Sequence, residues 1–200
     1  MSRTKAEMIL EIARKVGVLR PRDLSAYGIA REYLNRLCKK GDLQRIGRGL
    51  YTLAGVQADE NQGLRETGKR YPHSVVCLLS ALRFHGLTTQ APFEVWLGIP
   101  NKSKTPRIIY PPIRVFRFSQ EGLVQGVEKH DLAGVMVRIT DPARTVVDCF
   151  RFRHKVGLDV ALEAARDCLK QKKATPDQLH QTAAKFRMAK VMRPYLEALV

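Results

Sequence analysis

Gly47, Arg48 and Gly49, set between Leu43 to Ile46 and Leu50 to Leu53, constrain this chain more than any other feature. Glycines on both sides of one arginine accept positive φ and a tight reversal, so the flanking segments read as a hairpin. What precedes the hairpin narrows the fold further. Pro21 presets a first helical position and Gly28 stands just past Asp23 to Tyr27, which predicts a short helix there. A second helix is expected from near Ala30 to a stop at Gly41. On it Ala30, Leu34, Leu37 and Cys38 share one arc at about 100° per residue, while Glu32, Asn35, Arg36 and Lys39 project from the opposite side. Upstream, Thr4 and Glu7 form a capping-box pattern before Ile9, Ile12 and Val16, with Gly17 as the stop. Helix, short helix, basic amphipathic helix and hairpin, in that order, read as a winged helix-turn-helix over residues 1–55.

Such a helix fits the major groove of double-stranded DNA, and a basic wing reaches a neighbouring phosphate or the minor groove. Arg36 is the residue best suited to a base edge, with Asn35 second, since Arg matches guanine and Asn matches adenine. Lys39 and Arg48 suit phosphates, and Arg31, Lys40 and Arg45 complete the basic face. Glu32 either accepts from cytosine or repels the backbone. The competing account of the same residues is an ordinary solvated surface.

Charge favours the nucleic-acid account. The 200 residues carry 35 Lys and Arg against 19 Asp and Glu, a formal net charge of +16, and a field of that sign attracts polyanions or acidic surfaces. Residues 1–55 hold 12 basic and 5 acidic side chains, and the remainder holds 23 and 14. Positive charge beyond the winged helix serves either further phosphate contact, RNA contact, an acidic partner or plain solubility. A hydrophobic fraction of 44% suffices for packed cores. No run approaches the roughly 20 apolar residues of a membrane helix, and the N-terminus lacks the zones of a signal peptide. A cytoplasmic protein with no membrane partner is expected. Cys38, Cys77, Cys149 and Cys168 form no CxxC pair, so reduced thiols are expected in place of disulfides or a metal site.

Residues 56–200 read as a second domain, with the boundary near Gly55 and a polar linker over Gln57 to Gln62. Helices are expected over Leu64 to Tyr71 and Ser74 to His85, the latter burying Val75, Leu78, Leu79 and Leu82. Phe93 to Ile99, Ile113 to Phe118 and Val135 to Ile139 read as strands. Asp141-Pro142 and Thr175-Pro176 each pair a cap with a first-turn proline, opening helices through Phe150 and Phe186. Leu158 to Leu169 and Val191 to Leu199 are helical, the last weakened by Pro194. The fold class is α+β: a winged helix-turn-helix followed by a mainly helical α+β domain with a small sheet.

Catalysis finds little support. His73, His85, His130, His154 and His180 lack metal-ligand spacing, and no GxSxG, GxxxxGK[ST] or GxGxxG pattern occurs. Glu94, Lys102, Asp141 and Asp148 resemble a nuclease set only loosely, because Asp141 serves better as a helix cap. No cofactor and no enzyme activity are expected. Tyr71, Trp96 and Tyr110 could stack on bases, although a strand tryptophan is more often covered by a helix. Lys102, Lys104, Arg107, Arg114 and Arg117 form a basic run free of acidic residues, read either as a solvated loop or as a second polyanion-binding surface.

Three segments together resemble the antitoxin, transcriptional-regulator subunits of AbiE-type abortive-infection systems, described as type IV toxin–antitoxin modules. They are GIAREYLNRLCKKGDLQRIGRGLYTL at the winged helix, SALRFHGLT at Ser80 to Thr88, and ITDPARTVVDCFRFR at Ile139 to Arg153. The resemblance implies an N-terminal domain that represses its own operon at inverted repeats. It also implies a C-terminal domain that neutralises a nucleotidyltransferase-like toxin encoded beside it, without a stable toxin complex. Arg144, Asp148 and Arg151 lie in the third segment, where Arg144 and Arg151 are candidates for the antitoxin surface and Asp148 is equally a surface ion-pair partner for either. The rival readings are a one-component regulator whose second domain senses a ligand or dimerises, and a metal-dependent nuclease targeted by its N-terminal domain.

Overall fold

Helix α1, Lys5–Val16, begins where its capping chemistry dictates. Thr4 Oγ1 accepts from the Glu7 amide at 3.3 Å, and the Glu7 carboxylate accepts from the Thr4 amide at 2.9 Å, satisfying amides that helix geometry leaves without partners. The computed structural model describes residues 4–55, 60–106 and 111–199. They divide into two compact units, one of residues 1–72 with 130–137 and the other of residues 73–129 with 138–200.

In the first unit a 3-10 turn, Pro21–Tyr27, precedes helix α2, Glu32–Lys40. Strands β1, Leu43–Gly47, and β2, Leu50–Leu53, pair antiparallel, and Leu19 adds a bridge to Tyr51 through amide–carbonyl bonds of 2.8 and 2.9 Å. Ile9, Ala13, Leu19, Leu24, Ile29, Leu34, Leu37, Leu43 and Tyr51 form the core. This is the winged helix-turn-helix expected, with one correction. Helix α2 starts at Glu32, and Ile29 is buried where Ala30 is exposed. The backbone between Gly28 and Glu32 is not helical, so the 100° phasing does not extend back to Ala30.

The first unit also runs beyond Gly55, where the sequence places the boundary. Helix α3, Gln62–Arg70, belongs to it. Lys69 Nζ lies 3.2 Å from the Asp23 carboxylate, and the Lys69 carbonyl accepts from the Arg20 guanidinium. Residues 130–137 group with the same unit through glycine. Gly134 has φ +81°, and a Cβ there would stand 2.3 Å from the Lys15 carbonyl oxygen, so only glycine permits this approach. Of the expected linker, residues 57–59 lie outside the described residues.

The second unit carries strand β3, Val75–Val76, helix α4, Leu78–Phe84, and strands β4, Val95–Pro100, and β5, Ile113–Phe118. Strands β6, Val127–Leu132, and β7, Val135–Thr140, whose residues 130–137 group with the first unit, complete a five-stranded sheet of order β5-β4-β3-β7-β6. β3 runs antiparallel to β4 and parallel to β7, and β4 runs parallel to β5. Helices α5, Pro142–Arg151, α6, Arg153–Val156, α7, Leu158–Lys170, α8, Pro176–Lys185, and α9, Ala189–Glu197, follow. Their apolar faces meet the sheet and α4 in one core that includes Leu78, Leu82, Trp96, Phe116, Val147, Phe150, Ala164 and Met192.

Three expectations change. The helix read over Ser74 to His85 opens instead as β3, because Val75 and Val76 find ladder partners in Gly98, Leu97 and Ile139. The strand read from Phe93 starts at Val95, leaving Phe93 83% exposed. β6 was not foreseen, since its VEKHDL sequence is that of a polar sheet edge.

Candidate nucleic-acid interface

Leu34 and Leu37 anchor α2 in the core, and that anchoring fixes what faces outward. Arg31, Glu32, Asn35, Arg36, Lys39 and Lys40 are all exposed. Arg36 lies over the Tyr33 ring, its guanidinium carbon 4.7 Å from the centroid, and Lys5 from α1 lies over the same ring at 5.7 Å. The helix therefore offers a polar and basic face with an Arg, an Asn and a Glu capable of base-edge hydrogen bonds and lysines suited to phosphate. Tyr33 and Lys5 were absent from the residues singled out by sequence. The i,i+3 spacing of Tyr33 and Arg36 was the available signal.

The wing presents Arg48 at its tip, exposed, with Gly49 at φ +71°. Arg45 is exposed as well and folds back, Nε donating to the Gly47 carbonyl at 3.2 Å. Arg70 of α3 donates to the Arg48 carbonyl at 3.5 Å, so the tip is supported from behind. One turn earlier on α3, the fully buried Glu66 accepts from Gln62 Nε2 at 2.9 Å. Burial pushes its carboxyl above the ordinary range, while the Gln62 hydrogen bond, Arg70 and Arg65 pull the other way. α2 and the wing thus bring Arg31, Arg36, Lys39, Lys40, Arg45 and Arg48 onto one module.

The basic residues assigned to the second unit differ in their surroundings. Lys102 and Lys104 are exposed. Arg117 is occupied by the loop that precedes it, donating to the Asn101 and Ser103 carbonyls at 2.7 and 2.8 Å and to Thr105 Oγ1 at 3.3 Å. Arg114 lies over the Trp96 ring at 4.7 Å and Arg151 over Phe152 at 5.6 Å. Trp96 is buried and stacked on Phe116, which removes it as a base platform. Arg107 and Tyr110 lie outside the described residues.

Arg144 overturns its surface assignment. It is fully buried, with Nε 2.8 Å from the equally buried Asp148 carboxylate and Nη1 donating to the Gln125 carbonyl at 2.9 Å. Its guanidinium carbon lies 3.6 Å from the Phe186 ring centroid. Neither residue faces a partner, because the apolar stripe of α5 that sequence reading finds continues around both positions. Asp141 is the cap of α5, its Oδ1 accepting from the Arg144 amide at 2.7 Å.

Among the described residues no three His, Cys, Asp or Glu side chains stand close enough to hold a metal ion, and no helix is long and apolar enough to cross a membrane. Cys77, Cys149 and Cys168 are free and buried, and Cys38 is free and half-buried. Burial lifts all four thiols above their ordinary value, which keeps them protonated and poor metal ligands.

No curated protein matches the chain in sequence. Among solved structures, the RV2827C protein of Mycobacterium tuberculosis shares the fold with a TM-score of 0.59 at 14% identity, over 90% of this chain and 71% of that one. Residues 7–54, the winged helix just described, match the family model for transcriptional regulators of the AbiEi antitoxin type.

Proposed function

We propose that this chain is the antitoxin of a type IV, abortive-infection module, acting in the cytoplasm by binding and not by catalysis. It represses its own operon at operator DNA and neutralises a nucleotidyltransferase-like toxin from the adjacent gene without holding it in a stable complex. The observation that carries the reading is the exposed face of α2 beside a wing tipped by Arg48, in a segment that matches AbiEi antitoxin regulators. Occupation of Asp141 by a helix cap and of Asp148 by Arg144 supports binding over nuclease chemistry. Exposed Lys102, Lys104, Arg114 and Arg151 remain available for a second polyanion, RNA included.

The test is a binding titration with duplexes from the upstream region of the operon and scrambled versions of them. Wild-type affinity should fall with salt at a log–log slope of about 0.9 per phosphate neutralised. Arg36→Ala should lower the preference for the specific duplex, a good bidentate base contact being worth about 1–3 kcal/mol of discrimination, whereas Lys39→Ala should weaken both duplexes equally. Equal losses for both variants would sink the base-reading role of Arg36, a flat salt profile would sink the backbone-contact model, and cleavage with magnesium or manganese would restore the nuclease.

A further inference from the structure

Tyr33 is the one aromatic side chain of α2, and it stands between the two faces of that helix. One side of it packs against the core cluster, which fixes the ring. Over the ring lie two cations from different elements, Arg36 at 4.7 Å from α2 and Lys5 at 5.7 Å from α1. Among the described residues neither cation has a carboxylate ion-pair partner, so both positive charges at the ring stand without neutralisation. A lone surface arginine samples many rotamers and must give them up when it grips a base. A guanidinium held over an aromatic face loses less, and the contact uses the π face without consuming any N–H donor.

We infer that Tyr33 is a positioning shelf that presets Arg36 for the base edge and brings Lys5 beside it to take the adjoining phosphate. The inference rests on the DNA-reading function proposed above and extends the interface from α2 and the wing to the start of α1. Lys5 is exposed, as are Lys39 and Lys40 on α2. Two cations without carboxylate partners at one ring favour an anion, so the arrangement gains from a DNA phosphate beside the helix.

The experiment uses the full chain and a probe it selects itself, the duplex enriched from a randomised library, with a scrambled duplex of the same composition as reference. Tyr33→Leu keeps an apolar side chain against the core but removes the π face, and it should lower the ratio of specific to scrambled affinity about threefold. Tyr33→Phe should restore the wild-type ratio. Lys5→Ala should leave the ratio unchanged, weaken both duplexes and reduce the salt slope by about 0.9. Binding of the scrambled duplex by Tyr33→Leu at wild-type strength reports a folded module. A wild-type ratio for Tyr33→Leu, or a loss for Tyr33→Phe as large as for Leu, overturns the shelf, and an unchanged slope for Lys5→Ala overturns the phosphate contact. Failure of the wild-type chain to enrich any duplex overturns the DNA-reading function itself, an outcome distinct from the other two.

Discussion

Arg144 is the largest fully buried side chain among the described residues, and its charge is matched by a single carboxylate. The match is incomplete, since Arg144 Nη2 and Asp148 Oδ1 have no hydrogen-bond partner. Phe186 and Phe118 supply ring faces to the guanidinium instead. Removing one partner of such a pair leaves an uncompensated buried charge, so Asp148→Ala should cost about 3–5 kcal/mol. Replacing both, with Arg144→Met and Asp148→Leu, should return the unit to wild-type stability or above it. Denaturation followed by Trp96, the chain's single tryptophan, reports both variants; a double variant no better than Asp148→Ala would show that the pair itself stabilises the fold. Burial lifts the Asp148 carboxyl from an ordinary 3.8 to about 6, against the pull of Arg144. The folded chain then holds that proton more tightly than the unfolded chain. Asp148 therefore adds stability that is fully present below 3.8 and is lost as pH rises through about 6. Measured between those limits, the stability of wild type relative to Asp148→Asn should fall with rising pH, and a rise would contradict the desolvated carboxyl. Sequence spacing made the i,i+4 pair legible, but nothing in ITDPARTVVDCFRFR distinguishes a surface pair from a buried one. That distinction comes from Phe118 and Phe186, which only the tertiary fold delivers.

At the scale of elements, what depends on neighbours a few residues apart was legible and what depends on distant pairing was not. Thr4 with Glu7, Pro21 with Gly28, Asp141 with Pro142 and Thr175 with Pro176 all mark true helix boundaries, because caps and φ restrictions act within one turn. Val75 and Val76 sit at positions that fit a helix equally well, and only their pairing with β4 and β7 makes them a strand. In the candidate site the exposed face of α2 was legible from its periodicity. The Lys5 contact was not, because α1 and α2 meet through the tertiary fold. The turn at Ala133 and Gly134 is another product of long-range fit, with the Lys15 carbonyl pressed against the glycine. Gly134→Ala places a Cβ where both φ and space refuse it. It should destabilise the chain by more than about 1 kcal/mol, read as a lower denaturation midpoint; a neutral outcome would mean that residues 130–137 are free of α1.

At the scale of the whole molecule the question is whether the proposed DNA binding and the proposed neutralisation are separable. The division of the chain at Pro72 and His73, with residues 130–137 returned to the N-terminal unit, dictates how to ask it. A truncation at residue 56 would strip α3 and residues 130–137 of the elements they group with, so its failure would not locate the antitoxin activity. The full chain with Arg31, Arg36 and Arg48 replaced by Ala keeps both cores, because all three side chains are exposed. Substitutions of this kind change surface charge and cost little stability. Cells should then express the adjacent reading frame from an unrelated promoter, so that repression of the native operon cannot silence it. If neutralisation resides outside the DNA-reading face, the triple variant should relieve toxicity as well as the wild type does while losing repression of an operon reporter. Toxicity that the wild type relieves and the variant does not would show that neutralisation works through the same basic face. A neighbouring product that is harmless in every combination would remove the antitoxin role and leave a DNA-binding regulator.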